Sequence, residues 1–308
     1  MSLYQTHTLY IQNKTTMKKT ILSLLLLTGL CATAQQEQDS TKTWTRAGNI
    51  SFLLNQSTFD NWITGGENSF SGNLGLNYDF NYKKKDWNWD NKIIAEYGIM
   101  QTKNAEFEKK TNDRLELNSI VGKKASGEWF YSAFLNFKTQ FTKGYKYTKV
   151  DGVEVRGEAT TQFMSPAYLA LGPGMLWKKS DDLKVNIAPA TSRFTFVNKD
   201  FTSVPGYVDG SYFGVDANKS MKFEFGMYAS GYYKFNVMEN ISFENTLTLY
   251  SDYLKDPQNV DLEYQLNIVM TINKYISANL IFHTIYDDNA FSGFQTRQVF
   301  GAGINYGF

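Results

Sequence analysis

Apolar and polar side chains alternate along most of this chain with a period of two. Between residues 69 and 82, Phe70 and Leu74 share one face with the tyrosines, whereas Asn73 and Asn77 share the other. Such alternation is typical of β-strands with one apolar and one polar face. Because the pattern recurs along the chain and no helical period competes with it, the sequence predicts an all-β protein.

The alternation is repeated in segments of about ten residues, the length expected of transmembrane barrel strands. About twelve segments have this pattern. They are residues 50–54, 70–82, 87–99, 115–121, 131–141, 169–177, 183–187, 221–235, 241–253, 262–272, 276–286 and 300–308.

Short and long links alternate between these segments. Short links are expected at 83–86, 123–128, 178–182, 238–240 and 273–274, and long links at 56–67, 102–113, 142–165, 198–220, 254–259 and 287–296. Within the loop 142–165, Val150-Asp151-Gly152-Val153 predicts a small hairpin that folds over the mouth of the barrel. Outer-membrane barrels have short periplasmic turns and longer external loops. Residues 44–308 are therefore predicted to form a closed antiparallel transmembrane β-barrel of about 12 strands, with short periplasmic turns and long extracellular loops.

The N-terminus has the organisation of a secretory signal peptide. Lys18 and Lys19 precede the apolar run 21–30, and Ala32-Thr33-Ala34 provides small residues for cleavage. The sequence predicts a signal peptide over residues 1–34, cleaved before Gln35, followed by a short periplasmic leader over 35–43. Met17 fits the start of this pattern better than Met1, so the true start is expected at Met17.

Composition supports an exported strand protein and narrows its partners. Aromatic residues make up 16% of the chain, and the chain contains only 5 Pro, a composition that favours strands. The mean hydropathy of -0.39 excludes a bundle of apolar membrane helices. Cys31 suggests the alternative of a lipid anchor, but Leu30 stands where a lipoprotein needs a small residue. Cleavage removes Cys31 and three lysines, so the net charge changes from +1 to -2. The expected partners are outer-membrane lipids and the assembly machinery, and nothing points to nucleic acid.

The polar faces of the strands predict a charged lumen. Both signs are mixed there, which favours a narrow or occluded interior over an open channel, since opposite charges pair across strands. The charged residues expected to face the lumen, together with the histidine discussed next, are Asp90, Lys92, Glu96, Arg114, Glu116, Lys138, Lys184, Lys222, Glu224, Lys234, Glu244, Glu263 and His283.

One histidine remains after cleavage, and it is the strongest candidate for catalysis. A lipid hydrolase needs a nucleophile and a histidine base that lipid can reach. Phe282 and Thr284 have the parity of lipid-facing positions, so His283 is expected to point inward. This placement disfavours a lipid-active hydrolase, which stays as an alternative, and the sequence predicts no catalytic set and no cofactor.

Carboxylates near the outer ends of several strands form a weak candidate for Ca²⁺ binding through hard oxygen ligands. These residues are Asp252, Asp256, Asp261, Asp287 and Asp288. Solvated loop carboxylates are the alternative interpretation.

The end of the chain also has a pattern of its own. Phe300, Ile304, Tyr306 and Phe308 share one face of the last segment. An aromatic-ended last strand resembles the signal that outer-membrane assembly machinery reads. The alternative is the final strand of an ordinary β-sandwich.

The run 59–69, with Asn61, Trp62, Gly65 and Gly66, resembles the opening motif of the family known as domain of unknown function 3078 (DUF3078), found in Bacteroidota. The resemblance extends over roughly residues 44–308. It implies an outer-membrane location and supplies no established activity. A departure occurs at 188–192, where the family pattern has a Ser-Pro start and a later glycine. Further matching segments contain Trp89, Asp90, Asn91, Asp113, Arg114, Thr139, Gln140, Gly144, Tyr145, Pro166, Tyr286, Asp287 and Asp288.

These observations predict a non-enzymatic barrel. It would act either as a narrow channel for a small polar solute or as a structural or accessory subunit of an envelope assembly, with a protein partner that the sequence does not identify.

Overall fold

The computed structural model describes residues 43–58, 68–103 and 105–308, without the side chain of residue 292. The predicted signal peptide, the leader up to residue 42, and the motif residues Asn61, Trp62, Gly65 and Gly66 lie outside the described residues. In the described part, no helix is long and apolar enough to cross a membrane.

Twelve antiparallel strands close into a barrel, which confirms the predicted fold class. Their order around the barrel is β1, β2, β3, β4, β5, β8, β9, β10, β11, β12, β13, β14 and back to β1. A separate two-stranded sheet is formed by β6 and β7. The strands are β1 Trp44–Ser57, β2 Ser69–Lys84, β3 Trp87–Thr102, β4 Lys109–Ser126, β5 Trp129–Thr139, β6 Gly144–Val150, β7 Val153–Thr161, β8 Ala167–Lys178, β9 Leu183–Phe196, β10 Met221–Met238, β11 Ile241–Asp252, β12 Val260–Thr271, β13 Ile276–Asp287 and β14 Phe291–Gly307, with a 3₁₀ turn at Lys199–Phe201.

The two rims of the barrel differ in the length of their connections. The basal rim carries the start of β1, the end of β14 and the turns 85–86, 127–128, 179–182, 239–240 and 272–275. The opposite, apical rim carries the long segments 140–166 and 197–220. This asymmetry is the one expected of an outer-membrane barrel with a basal rim in the periplasm.

Apolar side chains cover the outer face of the strands. Successive residues of a strand point to opposite faces, so the apolar residues that follow the period-two pattern point outward together. Large exposed apolar residues on this face include Phe52, Leu74, Trp89, Tyr97, Phe223, Met227, Phe300 and Ile304. The inner face holds a small buried cluster in which the Phe134 and Tyr228 rings stack with centroids 4.3 Å apart.

The pairing of β8 with β9 shifts register at residues 188–191 of β9. Opposite β8, the three residues between Leu171 and Met175 face four residues of β9, so one residue is extra. Gly172 and Gly174 make room, because a Cβ on either would lie 2.6 or 2.5 Å from a β9 carbonyl oxygen. The bulge reverses the face of every later residue of β9, and residues 188–192 lie within this strand.

The hairpin predicted inside the loop 142–165 is confirmed as β6 and β7. Val150 pairs with Val153, and the two residues between them have positive φ, 51° at Asp151 and 82° at Gly152. Positive φ at both central residues is the requirement of a type I′ turn, which Asp-Gly meets at little cost.

Two predicted loop boundaries are wrong. β4 begins at Lys109, so Asp113 lies in a strand, and only residues 288–290 separate β13 from β14 where 287–296 was expected to be a long loop. The pairing of β13 with β14 shifts register between Tyr286 and Asp287. The alternation of apolar residues in β14 is interrupted by Thr296 and Gln298, which pair with Thr284 and Phe282 at outer-face positions, and the sequence pattern therefore missed the start of β14.

Candidate functional site

The predicted charged residues of the polar faces lie on the inner side of the barrel, and all of them except Lys234 have a polar or ionic side-chain contact there among the described residues. Strand register places Lys92 directly beside Asp79 of β2 and Asn118 of β4, so the polar residues of neighbouring strands share the inner face. The network has three levels, which we call basal, central and apical by the rim they approach.

The basal level joins opposite walls of the barrel. Lys92 of β3 contacts Glu244 of β11 with Nζ and Oε1 3.1 Å apart, and the Tyr232 hydroxyl donates to the same oxygen at 3.0 Å. Five strands separate β3 from β11 in either direction around the barrel, so this ion pair spans the full lumen. Asp90 binds Lys178 at 2.8 Å and Lys184 at 3.3 Å on another part of the wall.

The central level also joins opposite walls. Arg114 of β4 donates to Gln265 of β12, and these strands too have five strands between them on either side. The guanidinium also holds Glu116, with Nε 2.8 Å from Oε2. Lys138 of β5 pairs with Glu263 of β12. Side chains from both walls therefore meet in the middle of the barrel.

Glu96 and Glu116 are held by further polar contacts on the central level. Glu96 accepts a hydrogen bond from Asn112 at 2.9 Å and lies 3.7 Å from Arg297. Glu116 accepts from Asn118 at 2.7 Å and from Asn136 at 3.0 Å. These contacts satisfy the carboxylates and hold them in place, since buried charges are retained only when paired and hydrogen-bonded.

The apical level is built around Arg193, which the sequence analysis did not select. Its Nε and Nη2 donate to the two oxygens of Glu224, both at 2.7 Å, while Nη1 contacts Asp261. The guanidinium lies 3.9 Å from the centre of the Tyr250 ring, and Lys222 reaches Glu224 at 2.9 Å. The bulge in β9 turns Arg193 inward. The sequence pattern does not indicate this orientation, because the bulge that precedes Arg193 is not apparent from the alternation.

His283 lies in the lumen beside Glu263, with Nε2 and Oε1 2.8 Å apart. Glu263 is also the partner of Lys138. His283 therefore belongs to the central level of the charge network.

The acidic group near the apical rim only partly matches the predicted one. Asp261, Asp287 and Asp288 bring one oxygen each within 4.8 Å of one another. Asp252 and Asp256 are not part of this group: Asp252 accepts from the backbone of Leu254 at 3.0 Å. Asp261 also contacts Arg193, whose guanidinium group supplies the positive charge that a metal ion would otherwise supply.

Several family-motif residues fasten the base of the loop 140–166. Asp113 accepts from the backbone N–H groups of Phe141 at 2.7 Å and Thr142 at 2.9 Å. Gln140 donates to the carbonyls of Gln162 and Ser165, both at 2.9 Å, and Thr139 donates to the carbonyl of Pro166 at 3.1 Å. The motif thus has a structural use: it holds a long loop at the rim.

The two long apical segments are joined to each other through Tyr212. Its hydroxyl donates to the Thr160 carbonyl at 2.8 Å, and its ring stacks on Phe201 with centroids 4.9 Å apart. Burial raises the pKa of the Tyr212 hydroxyl, so this hydroxyl stays protonated to a higher pH than an exposed tyrosine. Ser165 accepts from the backbone N–H of Asn198 at 2.9 Å and adds a second link.

Removing the Tyr212 hydroxyl is expected to loosen this junction. The variant Tyr212→Phe keeps the ring stack. It loses the hydrogen bond to the Thr160 carbonyl and two longer contacts with Ser165 at 3.4 Å, and the main bond contributes about 1 kcal/mol. Amide hydrogen exchange should therefore become faster by about fivefold over residues 160–165 and 207–215. Tyr131→Phe, an exposed outer-face tyrosine, is the control, and equal effects of both variants would contradict the assignment.

The short link between β13 and β14 also contacts the apical rim near the segment 197–220. Lys222 donates to Asn289 Oδ1 at 2.9 Å, and Asn289 lies in the short link between β13 and β14. A Cβ on Gly214 would lie 2.9 Å from Lys222 Nζ and 3.1 Å from Asn289 Oδ1. The segment 197–220 and the link 288–290 therefore meet above the apical level of the network.

The comparison with protein families finds one match. Residues 54–145 match the family described as Protein of unknown function (DUF3078), and the predicted resemblance is confirmed over this range. Among curated proteins, no match is found.

Solved structures similar to this chain are outer-membrane β-barrels. The translocator domain of autotransporter NalP from Neisseria meningitidis is 8% identical over 96% of this chain and 97% of its own, with a TM-score of 0.38. The NanC porin is 10% identical over 84% and 98%, with a TM-score of 0.36. An outer-membrane channel from Pseudomonas putida F1 is 8% identical over 88% and 99%, with a TM-score of 0.35. Similarity at this level supports no conclusion about activity.

Proposed function

We propose that this chain is an outer-membrane β-barrel that conducts no solute and acts as a structural or accessory component of the cell envelope. The observation that carries the proposal is the meeting of side chains from opposite walls inside the lumen, Lys92 with Glu244 and Arg114 with Gln265.

Membrane placement is supported by the closure of the sheet and by its apolar outer face. In hydrocarbon every backbone N–H and C=O must be paired within the protein, and a sheet meets this requirement by closing on itself. The outer face exposes rings and aliphatic chains that water would not favour. The ion pairs Lys92–Glu244, Arg114–Glu116 and Arg193–Glu224 lie on the inner face. The pair Lys110–Asp113 lies on the outer side of β4 at its apical end, beside the loop 140–166.

The closed lumen is supported by the geometry of the charge network. A passage for solutes needs an unbroken path of water. The ion pair Lys92–Glu244 and the hydrogen bond from Arg114 to Gln265 join opposite walls across that path at two levels. Lys138 and Glu263 add a third bridge between distant strands. Opposite charges in such a network hold each other in place and leave no field of one sign to attract a permeating ion.

The alternatives fit the geometry less well. A narrow channel for a polar solute requires that the bridging side chains move apart. A lipid hydrolase requires that His283 meet lipid, whereas it contacts Glu263 inside the barrel. We therefore favour the non-enzymatic, non-conducting function over both.

Planar-bilayer recording tests the proposal. The wild-type barrel is expected to show no stepwise current at any applied voltage. A variant with alanine at Lys92, Arg114, Glu116, Lys138, Glu244 and Glu263 removes the bridges together with their partners, and it is expected to conduct. Heat-modifiable migration on gels verifies that both proteins are folded barrels. Stepwise currents from the wild-type protein would contradict the proposal.

The accessory part of the proposal needs a separate experiment. Purification from membranes in a mild detergent is expected to retain a protein partner in a fixed ratio. A barrel that is purified without any partner, and that also shows no cross-linked partner after chemical cross-linking in cells, would contradict an accessory function. The structural function would then be that of the barrel alone.

A further inference from the structure

Cations and a tryptophan form a row on the outer face of the barrel near the basal rim. Lys84 of β2 pairs directly with Trp87 of β3, and Trp87 pairs directly with Lys123 of β4. Directly opposite residues of neighbouring strands point to the same side of the sheet. Lys84 and Lys123 therefore flank Trp87 on the outer side, where the Trp87 ring is 47% exposed.

The two lysines differ from Lys92, Lys138 and Lys178 of the lumen in having no acidic partner. Lys92, Lys138 and Lys178 in the lumen each contact a carboxylate. Among the described residues, no carboxylate lies within ion-pair distance of Lys84 or Lys123. Lys123 Nζ instead lies 5.8 Å from the centre of the Trp87 ring, in the geometry of a cation–π contact.

The spacing of the row suits a phosphate group. Neighbouring strands lie about 4.8 Å apart, so the Cα atoms of Lys84 and Lys123 are separated by roughly 10 Å. Each lysine side chain is long enough for its ammonium group to reach the midpoint above the Trp87 ring. A single tetrahedral anion at that point would receive both ammonium groups while its organic part lies against the indole.

Neighbouring aromatic residues indicate the depth of the row in a membrane. Trp44, Tyr82 and Trp89 form a cluster one step further from the rim, with centroids 5.2 Å apart for Trp44 and Tyr82 and 5.7 Å for Trp44 and Trp89. Amphipathic rings of this kind lie at the headgroup level of a membrane. Lysines just basal to them lie where lipid phosphates are found.

We infer that Lys84, Trp87 and Lys123 form a binding site for the phosphodiester of an anionic glycerophospholipid in the periplasmic leaflet. This inference depends on the proposed membrane placement and is independent of whether the lumen conducts. The lysines neutralise the headgroup phosphate, and the Trp87 ring covers the glycerol region.

Native mass spectrometry of the purified barrel with added phosphatidylglycerol tests the site. The double variant Lys84→Gln/Lys123→Gln is expected to bind the lipid about 30-fold more weakly, since each lysine near an anionic lipid contributes a free energy equivalent to about fivefold. The matched control is Lys83→Gln/Lys124→Gln. It removes the same charge from the ends of the same two strands, but Lys83 and Lys124 have the opposite parity and face away from the row.

The outcomes separate this site from its rivals. Weak binding by the first variant and near-wild-type binding by the control would support the inference. Equal losses in both variants would show attraction by overall charge and would overturn it, as would a wild-type barrel that binds phosphatidylglycerol no better than the first variant. Competition by inorganic phosphate in excess would identify a site for free phosphate and would also overturn the lipid assignment. Heat-modifiable migration checks that every variant is folded.

Discussion

We expect Arg193→Ala to lower the free energy of unfolding of the barrel by about 4 kcal/mol, because loss of one member of a buried charge cluster leaves the others uncompensated. Glu224 is 1% exposed and receives both of its bidentate hydrogen bonds from Arg193. Lys222 contacts only one of the two carboxylate oxygens, and Asp261 loses its contact altogether. Urea unfolding in lipid vesicles, followed by tryptophan fluorescence, measures the change.

Two further variants make the result specific. Arg193→Lys keeps the charge but loses the planar fork that binds both oxygens of Glu224, so its loss is expected to be smaller than that of alanine. Lys255→Ala removes an exposed loop cation and is expected to change the free energy by less than about 0.5 kcal/mol. If Arg193→Ala were as mild as Lys255→Ala, the apical cluster would not exist as described.

The second large effect is expected where the barrel closes. β1 and β14 pair over six residues, from Asn49 with Gly307 to Leu54 with Ala302, which is the shortest pairing between neighbouring barrel strands. A Cβ at Gly303 would overlap the carbonyl oxygen of Phe52 on β1. Gly303→Ala is therefore expected to lower the free energy of unfolding by about 3 kcal/mol through overpacking at the seam.

The glycine at position 231 provides the matched control. A Cβ there meets no atom within 4 Å, so Gly231→Ala adds a methyl group without a clash. It is expected to stabilise the barrel by about 0.5 kcal/mol, because alanine restricts the unfolded chain more than glycine does. The two substitutions are chemically identical, and the same urea titration should give opposite signs. Equal signs and sizes would contradict the close approach of β14 to β1.

The two predictions concern different parts of the barrel. Arg193 joins β9 to β10 and β12 on the inner face, whereas Gly303 lies at the seam between β14 and β1. Their effects are expected to add, because Arg193 on β9 and Gly303 on β14 share no partner.

The architecture was predictable from local patterns. Period-two alternation assigns each residue of a regular strand to the inner or outer face, so the segments around Phe70, Trp89 and Phe223 predicted apolar outer faces without any contact information. The Asp151-Gly152 pair predicted the hairpin for the same reason, because a type I′ turn depends on only two residues. Each of these features is decided by neighbours along the chain.

The partners of the lumen residues were not predictable in this way. Lys92 and Glu244 are 152 positions apart in sequence, and their meeting depends on strand number and stagger around the barrel. Arg114 and Glu116 are the exception, since their spacing of two on one strand put both on the inner face from the start.

The sequence by itself determined that this chain alternates into about twelve strands with a charged inner side, because side-chain direction in a strand is a local property. The tertiary structure alone decided that Arg193 faces inward after the bulge in β9 and that ion pairs cross the lumen. The reason is physical: closing the sheet brings together residues whose separation along the chain carries no information about their distance in space.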